Sequence, residues 1–276
     1  MSGQDATVTA HYTRGDLKTR LLDLLREAGK DPDRLTTADL APVDEFHIRG
    51  REATEELIQA TGFVADDHIL DVGSGIGGPA RHLAEAVGCR VTGVDLTPAF
   101  CEAATMLAAR VGLADRVTYR AANALDMPFA DGAFDGAWTQ HVAMNIADKA
   151  ALYREIRRVL KAGAVFALYD VMLGPAGDPH YPVPWAAEPG ISFLETPDRV
   201  RSLVTEAGFE IVDSWDRSPE GLAWFEAAAA QAGKAGPPPL SLAALLGAEF
   251  RDMARNMRRN LAEQRIALVA LTARAA

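Results

Sequence analysis

The sequence is poor in the residues that mark secreted, membrane-spanning or nucleic-acid-binding chains. Its two cysteines, Cys89 and Cys101, stand apart from any Cys-x-x-Cys spacing, which disfavours a disulfide framework. No apolar run reaches the roughly 18 residues that a membrane span needs, and no hydrophobic leader comes after the first methionine. The net charge of -10 argues against binding nucleic acid or anionic membranes through bulk electrostatics. We therefore expect a cytoplasmic chain without nucleic-acid or membrane partners.

The composition is that of a packed globule, with 276 residues of which 49% are hydrophobic and 24% charged. From residue 68 onward, short apolar runs typical of strands alternate with helical patterns. Near-continuous apolar strands separated by helices predict a parallel sheet with helices on both faces. The length allows one large α/β domain or a domain with a substantial insertion.

Two segments lie outside this alternation. The first, residues 1–45, contains an amphipathic helix with Asp16 as its N-cap. A proline-punctuated stretch after this helix predicts a loop that continues past the segment to residue 50. The second, residues 217–263, separates the last two predicted strands and carries its own helical patterns. A long insertion of this kind is usually functional. We expect residues 1–45 to form a helical lid, 217–263 a helical cap, and 46–216 with 264–276 the core.

A glycine-rich turn comes after the first predicted strand, within the stretch HILDVGSGIGGPARHL at residues 68–83. Gly73, Gly75 and Gly78 fit the pattern G-x-G-x-x-G, in which the backbone of the turn can approach a ligand closely. Asp95 closes the second strand 17 residues after Gly78, near the ~20 expected for an acid that binds ribose hydroxyls. Dinucleotide enzymes and other adenosine-cofactor enzymes share these features.

Two observations separate these classes of enzyme. Asp71 lies two residues before the first glycine, where its charge would face the pyrophosphate of a nicotinamide dinucleotide unfavourably but suit an amino-acid ammonium. The chain also ends in a strand after the insertion at 217–263, rather than in a second mononucleotide-binding half. Both observations favour an adenosine cofactor that carries an amino acid.

Four stretches in order resemble the successive motifs of class I S-adenosylmethionine-dependent methyltransferases. These are ILDVGSGIGGPARHLA, VTGVDLT, ANALDMPFADGAFDGAWT and LYREIRRVLKAGAVFALYDVM. Within that family the chain is most similar to small-molecule enzymes of the sarcosine/dimethylglycine and ubiquinone-biosynthesis type. The resemblance implies a Rossmann-like α/β fold with a seven-stranded, mostly parallel sheet. Its last strand would be antiparallel and lie between the fifth and sixth.

The resemblance also implies which residues bind the cofactor S-adenosylmethionine, whose product after methyl transfer is S-adenosylhomocysteine. The residues expected at the methionine moiety are Asp71, Gly73, Gly75 and Gln140. Asp95 would accept both ribose hydroxyls and Leu96 would pack on the adenine. Asn123 stands where the family usually has Asp, and Ala124 would offer its backbone N–H to the ring. Tyr12 and His47 could close over the bound cofactor.

The acceptor side is expected just past the fourth strand, where the transfer site opens in this fold. His141 is the candidate general base, with a neutral orienting role as the alternative. Further candidates for contact with the substrate are Asp170, His180, Tyr181, Trp185 and Trp224. No pair of His, Asp or Glu residues shows a convincing metal-ligand spacing, so no metal is expected.

We therefore expect an enzyme that transfers a methyl group to a nitrogen or oxygen of a small organic molecule by in-line displacement, and a homo-oligomer is possible. One alternative is carbon methylation, or a protein of the same fold without methyl transfer, such as a cyclase. The other is a nicotinamide-dependent oxidoreductase, which the aspartate before the glycine turn disfavours.

Overall fold

A seven-stranded sheet forms the centre of the computed structural model, which describes residues 16–235, 240–247 and 249–276. The strands are β1 (His68–Val72), β2 (Arg90–Asp95), β3 (Val117–Ala121), β4 (Phe134–Gln140), β5 (Leu160–Leu173), β6 (Phe209–Asp216) and β7 (Ile266–Ala275). Their order across the sheet is β3-β2-β1-β4-β5-β7-β6. The strand β7 is antiparallel to both of its neighbours, and the other pairings are parallel. The predicted fold, including the place of the last strand, is confirmed.

The strand β1 lies at the middle of the parallel part. Leu70 pairs with Thr92 of β2 on one side and with Ala137 of β4 on the other, so the three strands end at the same edge of the sheet. All of β1 after its first residue is buried, as expected for a strand that is covered on both faces. The polar residues at the ends of these strands are thereby brought to one edge.

Helices cover both faces of the sheet and extend beyond one end. They are α1 (Leu17–Glu27), α2 (Thr37–Asp44), α3 (Arg51–Thr61), α4 (Gly78–Val87), α5 (Pro98–Arg110), α6 (Lys149–Val159), α7 (Pro197–Glu206), α8 (Ser218–Ala235), α9 (Leu242–Leu246) and α10 (Phe250–Ala262). The predicted N-cap of α1 is present, since Asp16 accepts a hydrogen bond from the backbone N–H of Thr19. Within the described part of the chain, no helix combines the length and apolarity required to cross a membrane.

The loop predicted up to residue 50 is wrong in part, because α2 occupies its middle. Thr36 and Asp39 form a reciprocal capping box, in which each side chain accepts from the backbone N–H of the other. The Thr-x-x-Asp spacing of this capping box is present in the sequence and was not used in predicting the loop. Pro42 lies inside the short helix, whose burial of Leu40 and Val43 supplies packing that local propensity does not.

Three apolar clusters hold these layers together. Trp138 belongs to the cluster on one face of the sheet and Phe166 to the cluster on the other, and both are fully buried. The third cluster joins the N-terminal helix to the core, because Leu21 and Leu25 of α1 pack with Leu107 of α5. The helices of the insertion pack against the first cluster through α10.

Two helical glycines provide a test of how closely α2 approaches the glycine turn. A Cβ on Gly78 would lie 2.3 Å from the backbone oxygen of Asp44, whereas a Cβ on Gly233 of α8 would have no neighbour within 4 Å. We expect Gly78→Ala to destabilise the fold by about 1–3 kcal/mol through overpacking. Gly233→Ala should be neutral or stabilise by up to about 1 kcal/mol.

Chemical denaturation of both variants beside the unmodified protein measures the difference. Equal unfolding free energies for the two variants would contradict the close packing of α2 on α4.

Candidate active site

A cavity of about 630 Å³ opens where β1, β2 and β4 end. The loops after these strands line one side of it, and the N-terminal segment and the insertion line the other. This is the edge at which ligands bind in open α/β sheets, because the turns after parallel strands expose backbone groups there. The cavity unites most of the residues predicted from the sequence.

The glycine turn is held by backbone hydrogen bonds and by close packing. The N–H groups of Gly73 and Ser74 both donate to the carbonyl of Val94, at 2.8 and 2.9 Å. Gly73 has φ of +77°, and a Cβ at this position would meet Cγ2 of Val142 at 2.3 Å. Glycine is therefore required both by the left-handed backbone and by the approach of the loop after β4.

Asp95 connects the end of β2 to this turn. Its Oδ2 accepts the N–H of Gly75 at 2.9 Å, and its Oδ1 accepts the N–H of Thr97 at 2.8 Å. Burial raises the pKa of the carboxyl above its ordinary value, and these two hydrogen bonds act in the opposite direction. The carboxylate lines the cavity at a fixed position, with acceptor capacity left for a ligand hydroxyl.

Several buried polar atoms beside the turn have no hydrogen-bond partner in the described structure. They are Oδ2 of Asp71, Oγ of Ser74 and both amide atoms of Gln140, and all three residues line the cavity. Leaving such groups unpaired costs about 1–3 kcal/mol each, so a ligand that supplies donors and acceptors is favoured. A ligand bearing both an ammonium and a carboxylate, such as the methionine end of S-adenosylmethionine, matches this set.

The predicted adenine side is also present in the cavity. Leu96, Asn123 and Ala124 all line it, together with Leu125. The amide oxygen of Asn123 accepts the N–H of Leu125 at 2.9 Å, which fixes the loop after β3. The side chain of Asn123 is thus oriented by its own loop, and its remaining lone pair is available to an amino group.

His141 lies directly after β4 in a strained conformation, with φ of +54°. Its Nδ1 is 3.1 Å from the carbonyl of Tyr169, so Nδ1–H donates, and its Nε2 accepts the N–H of Ile48 at 3.3 Å. Burial lowers the pKa of His141 to about 3. The residue lines the cavity as a neutral imidazole with both nitrogens engaged.

Asp170 supports the turn that carries His141. It lies within β5, three residues before the strand ends, is nearly fully buried, and its Oδ1 accepts the N–H of Val142 at 2.8 Å. Burial raises the pKa of this carboxyl to about 7. Asp170 is not among the residues that line the cavity, so the structure places it behind the acceptor side and not on it.

The N-terminal segment after α2 closes one side of the cavity. Asp44, Phe46, His47 and Ile48 all line it. Arg81 anchors this segment, since its guanidinium donates to Asp44 at 2.7 Å and both side chains are almost completely buried. Sequence reasoning predicted a contact for His47 alone, and nothing in the residue pattern connected Asp44 to Arg81.

The insertion and the loop after β5 contribute an apolar region opposite the strand ends. Trp185 and Trp224, both predicted from the sequence, line it; Trp185 is buried and Trp224 is 36% exposed. Cavity residues not predicted from the sequence are Phe46 in the N-terminal segment and Phe225, Phe250, Ala254 and Met257 in the insertion. Helical periodicity marks the four residues of the insertion as core, and only the packing of α8 and α10 places them on a cavity.

Two other predicted contacts lie elsewhere, and a third cannot be placed. His180 is bound to the C-terminal part of α10, with its Nε2 2.7 Å from the carboxylate of Glu263, and does not line the cavity. Tyr181 packs at the edge of the apolar cluster that contains Trp138 and likewise does not line it. Tyr12 lies outside the described residues, so its predicted role stays a prediction. In the described ranges, no group of three His, Cys, Asp or Glu residues is arranged to hold a metal ion.

Comparison with known proteins agrees with this geometry. A family model described as a methyltransferase domain matches residues 70–168, from β1 to β5. The O-methyltransferase resE of Aspergillus sclerotiorum is 32% identical over 183 residues, which are 64% of this chain and 68% of that protein. The sterol 24-C-methyltransferase of Eremothecium gossypii is 32% identical over 168 residues, 59% of this chain but 45% of its own length.

The geranyl diphosphate C-methyltransferase of Streptomyces coelicolor A3(2) has a similar fold. Its structure, solved with Mg2+, geranyl-S-thiolodiphosphate and S-adenosyl-L-homocysteine, aligns with a TM-score of 0.72 and 18% identity over 100% of this chain and 99% of that one. Fold, cavity and sequence matches together define an enzyme of the methyltransferase class. The chain belongs to the class I S-adenosylmethionine-dependent methyltransferases, which decides against the nicotinamide-dependent alternative.

The buried carboxyl of Asp71 provides a pH-dependent test of the ligand-free site. Burial raises its pKa from 3.8 to about 7, so between these values the folded protein binds this proton and the unfolded chain does not. The contribution of Asp71 to the free energy of unfolding therefore falls as the pH rises from about 4 to about 7.

We expect Asp71→Asn, which does not titrate, to gain stability relative to the unmodified protein across that range. Urea denaturation of both proteins at several pH values measures the difference in unfolding free energy. Parallel pH profiles for the two proteins would show that Asp71 is not held protonated by burial.

Proposed function

We propose that this enzyme transfers the methyl group of S-adenosylmethionine to a nitrogen or oxygen of a small, largely apolar organic molecule. The observation that carries the proposal is the arrangement of the cavity. One part of the cavity has unpaired polar atoms beside the glycine turn. Another part of the same cavity is lined by aromatic and aliphatic side chains of the insertion. The cofactor, when bound, supplies a methyl group that its sulfonium makes electrophilic.

At the cofactor end, we assign roles by contact chemistry. Asp71 and Gln140 would hold the methionine ammonium and carboxylate, because their partnerless atoms offer acceptors and donors on one side of the cavity. Gly73 and Gly75 let the ligand approach the backbone. Asp95 would accept the ribose hydroxyls, and charge-assisted bonds of this kind are the stronger ones.

The adenine would lie between the loops after β2 and β3. Leu96 would pack on the ring, and Ala124 would donate its backbone N–H to it. Asn123 would accept from the exocyclic amino group through a neutral amide oxygen, a weaker contact than a carboxylate would make.

The charges of the cavity restrict the acceptor. Its described lining includes Asp44, Asp71, Asp95 and Asp148 but neither lysine nor arginine. An anionic acceptor such as a carboxylate or diphosphate would enter without a cationic side chain of the described lining to pair with, which is costly in a desolvated site. A neutral or cationic molecule with an apolar body fits Trp185 and the side chains contributed by α8 and α10.

His141 would orient the acceptor instead of deprotonating it. Its Nδ1–H is committed to the carbonyl of Tyr169, and its lone pair at Nε2 already accepts the N–H of Ile48. The two hydrogen bonds therefore fix the orientation of the ring where it lines the cavity. Holding the acceptor in line with the methyl can contribute up to about 7–11 kcal/mol in favourable systems.

The two helical segments outside the core would act as covers. We assign residues 1–45 to a lid and 217–263 to a cap, since Asp44 at the end of the first segment and several side chains of the second line the cavity. Closing them over bound ligands would exclude water, which competes as an acceptor. A cytoplasmic location and assembly as a homo-oligomer stay predictions.

The ribose contact is tested by Asp95→Ala. Each hydrogen bond to a charged group is worth about 1.5–3 kcal/mol, so affinity for S-adenosylmethionine should fall at least about 10-fold. Calorimetric titration measures the dissociation constant, with Asp115→Ala on the exposed loop before β3 as the matched control. An unchanged dissociation constant for Asp95→Ala would remove the ribose assignment.

The acceptor class is tested with matched pairs of small apolar molecules that differ in charge. We expect a mass gain of one methyl on neutral alcohols, phenols or amines, and little or none on the corresponding carboxylates. Mass spectrometry detects the product, and NMR of a labelled methyl group distinguishes O–, N– and C–CH₃. Preferred methylation of carboxylates would contradict the charge argument, and a C–CH₃ product would replace the N/O proposal. Cofactor binding without any methylated product would favour the non-methylating alternative.

A further inference from the structure

His47 is held in the cavity by a set of contacts that the cofactor assignment does not use. Its side chain is 2% exposed, and its Nε2 lies 2.9 Å from the carbonyl oxygen of Gly50. The hydroxyl of Thr54 lies 3.1 Å from the same nitrogen. Because a carbonyl oxygen can only accept, Nε2 carries the hydrogen.

These contacts determine the tautomer of the ring. Burial lowers the pKa of His47 to about 4, so the imidazole is neutral at pH 7 and has one N–H. That N–H is on Nε2, which leaves the lone pair on Nδ1. No residue in the described part of the chain donates a hydrogen bond to Nδ1. His47, which lines the cavity, thus has a nitrogen free to accept a proton, whereas His141 has none.

A buried carboxylate stands behind the ring. The Thr54 hydroxyl donates to Oε2 of Glu45 at 2.8 Å, and this oxygen is 3.7 Å from Nε2 of His47. Arg51 donates to the other oxygen of Glu45 at 2.7 Å. A carboxylate next to the protonated nitrogen of an imidazole fixes the ring orientation and stabilises the imidazolium that forms when the other nitrogen takes a proton.

The ring also lies next to the proposed orienting group. The centroids of His47 and His141 are 5.9 Å apart, and the N–H of the next residue, Ile48, donates to His141. The two histidines therefore line the same part of the cavity with opposite tautomers. One presents a lone pair at Nδ1, and the other has both nitrogens committed.

We infer that His47 is the general base of the reaction, a step that rests on the proposed function. The acceptor oxygen or nitrogen forms a bond to the methyl carbon, and the carbon–sulfur bond breaks with its electron pair remaining on sulfur. The proton of the acceptor passes to Nδ1 of His47, giving an imidazolium that releases it to solvent after the product leaves. Glu45 is a positioning residue for this step.

The charge balance of the cavity favours this assignment. The positive charge on sulfur disappears as the methyl group is transferred, and a positive charge appears on His47. The site holds the acidic side chains of Asp95, which lines the cavity, and of Glu45, which is buried next to His47. A cation near them is therefore present before and after the transfer, which avoids leaving desolvated negative charge uncompensated.

Acceptors with and without a proton to lose distinguish a general base at His47 from a purely structural role of this residue. We expect His47→Gln to slow single-turnover methylation of an apolar alcohol or phenol by about 100-fold or more, the usual contribution of a general base. Methylation of an apolar N,N-dialkylaniline, a tertiary amine that is unprotonated at pH 7, should be unaffected, because that acceptor has no proton to lose. His68→Gln, on β1 and away from the cavity, is the control variant.

Long-range ¹H–¹⁵N NMR of the ligand-free protein gives a readout that is independent of activity. We expect the Nε2–H tautomer for His47 and the Nδ1–H tautomer for His141. Glu45→Gln should lower the pKa of His47 further, since it removes the charge that stabilises the imidazolium. This measurement on the unmodified protein stands even where a variant does not fold.

The outcomes distinguish this inference from the proposed function. An Nδ1–H tautomer for His47, equal slowing of both acceptor kinds, or full activity of His47→Gln toward the alcohol or phenol would overturn the inference while methyl transfer by the unmodified protein still stands. Cofactor binding without product in the unmodified protein would overturn both.

Discussion

The buried ion pair between Arg81 and Asp44 is the interaction on which the cavity depends. The guanidinium is completely buried and also donates to the carbonyl of Ile76 in the glycine turn, at 2.7 Å. One side chain thus ties the turn after β1 to the end of α2. Burying two charges is costly unless their geometry and remaining hydrogen bonds are satisfied, and losing one partner of such a pair typically costs about 3–5 kcal/mol. The position of the N-terminal segment relative to the sheet is therefore strongly determined.

The segment directly after Asp44 depends on that anchor. Phe46, His47 and Ile48 line the cavity there, and the backbone N–H of Ile48 donates to His141, which follows β4. The strand ends supply acceptors and donors for a charged, polar ligand, and the N-terminal segment supplies a neutral histidine and apolar walls. The chemical step needs both sides, because transfer requires alignment and exclusion of water together with a proton acceptor.

The two ends of the cavity differ in how much the fold constrains them. The end that we assign to the cofactor is built from strand ends and a glycine turn, which backbone hydrogen bonds hold in place. The acceptor end is built from α8, α10 and the loop that carries Trp185, which are joined to the sheet through side-chain packing. Relatives of this chain carry names for O- and C-methylation, as expected when a shared fold carries different acceptor sites.

The sequence by itself determined the succession of strands along the chain, the glycine turn and the acid at the end of β2, because strand periodicity and glycine spacing are local signals. It also placed Asn123, Gln140 and His141 at strand ends, where parallel strands bring such residues to one edge. Only the tertiary structure decided that Arg81 pairs with Asp44, that Thr54 and Glu45 support His47, and that Asp170 and His180 are used in packing. These contacts join residues from separate elements through buried charges and hydrogen bonds, and no pattern within one segment encodes them.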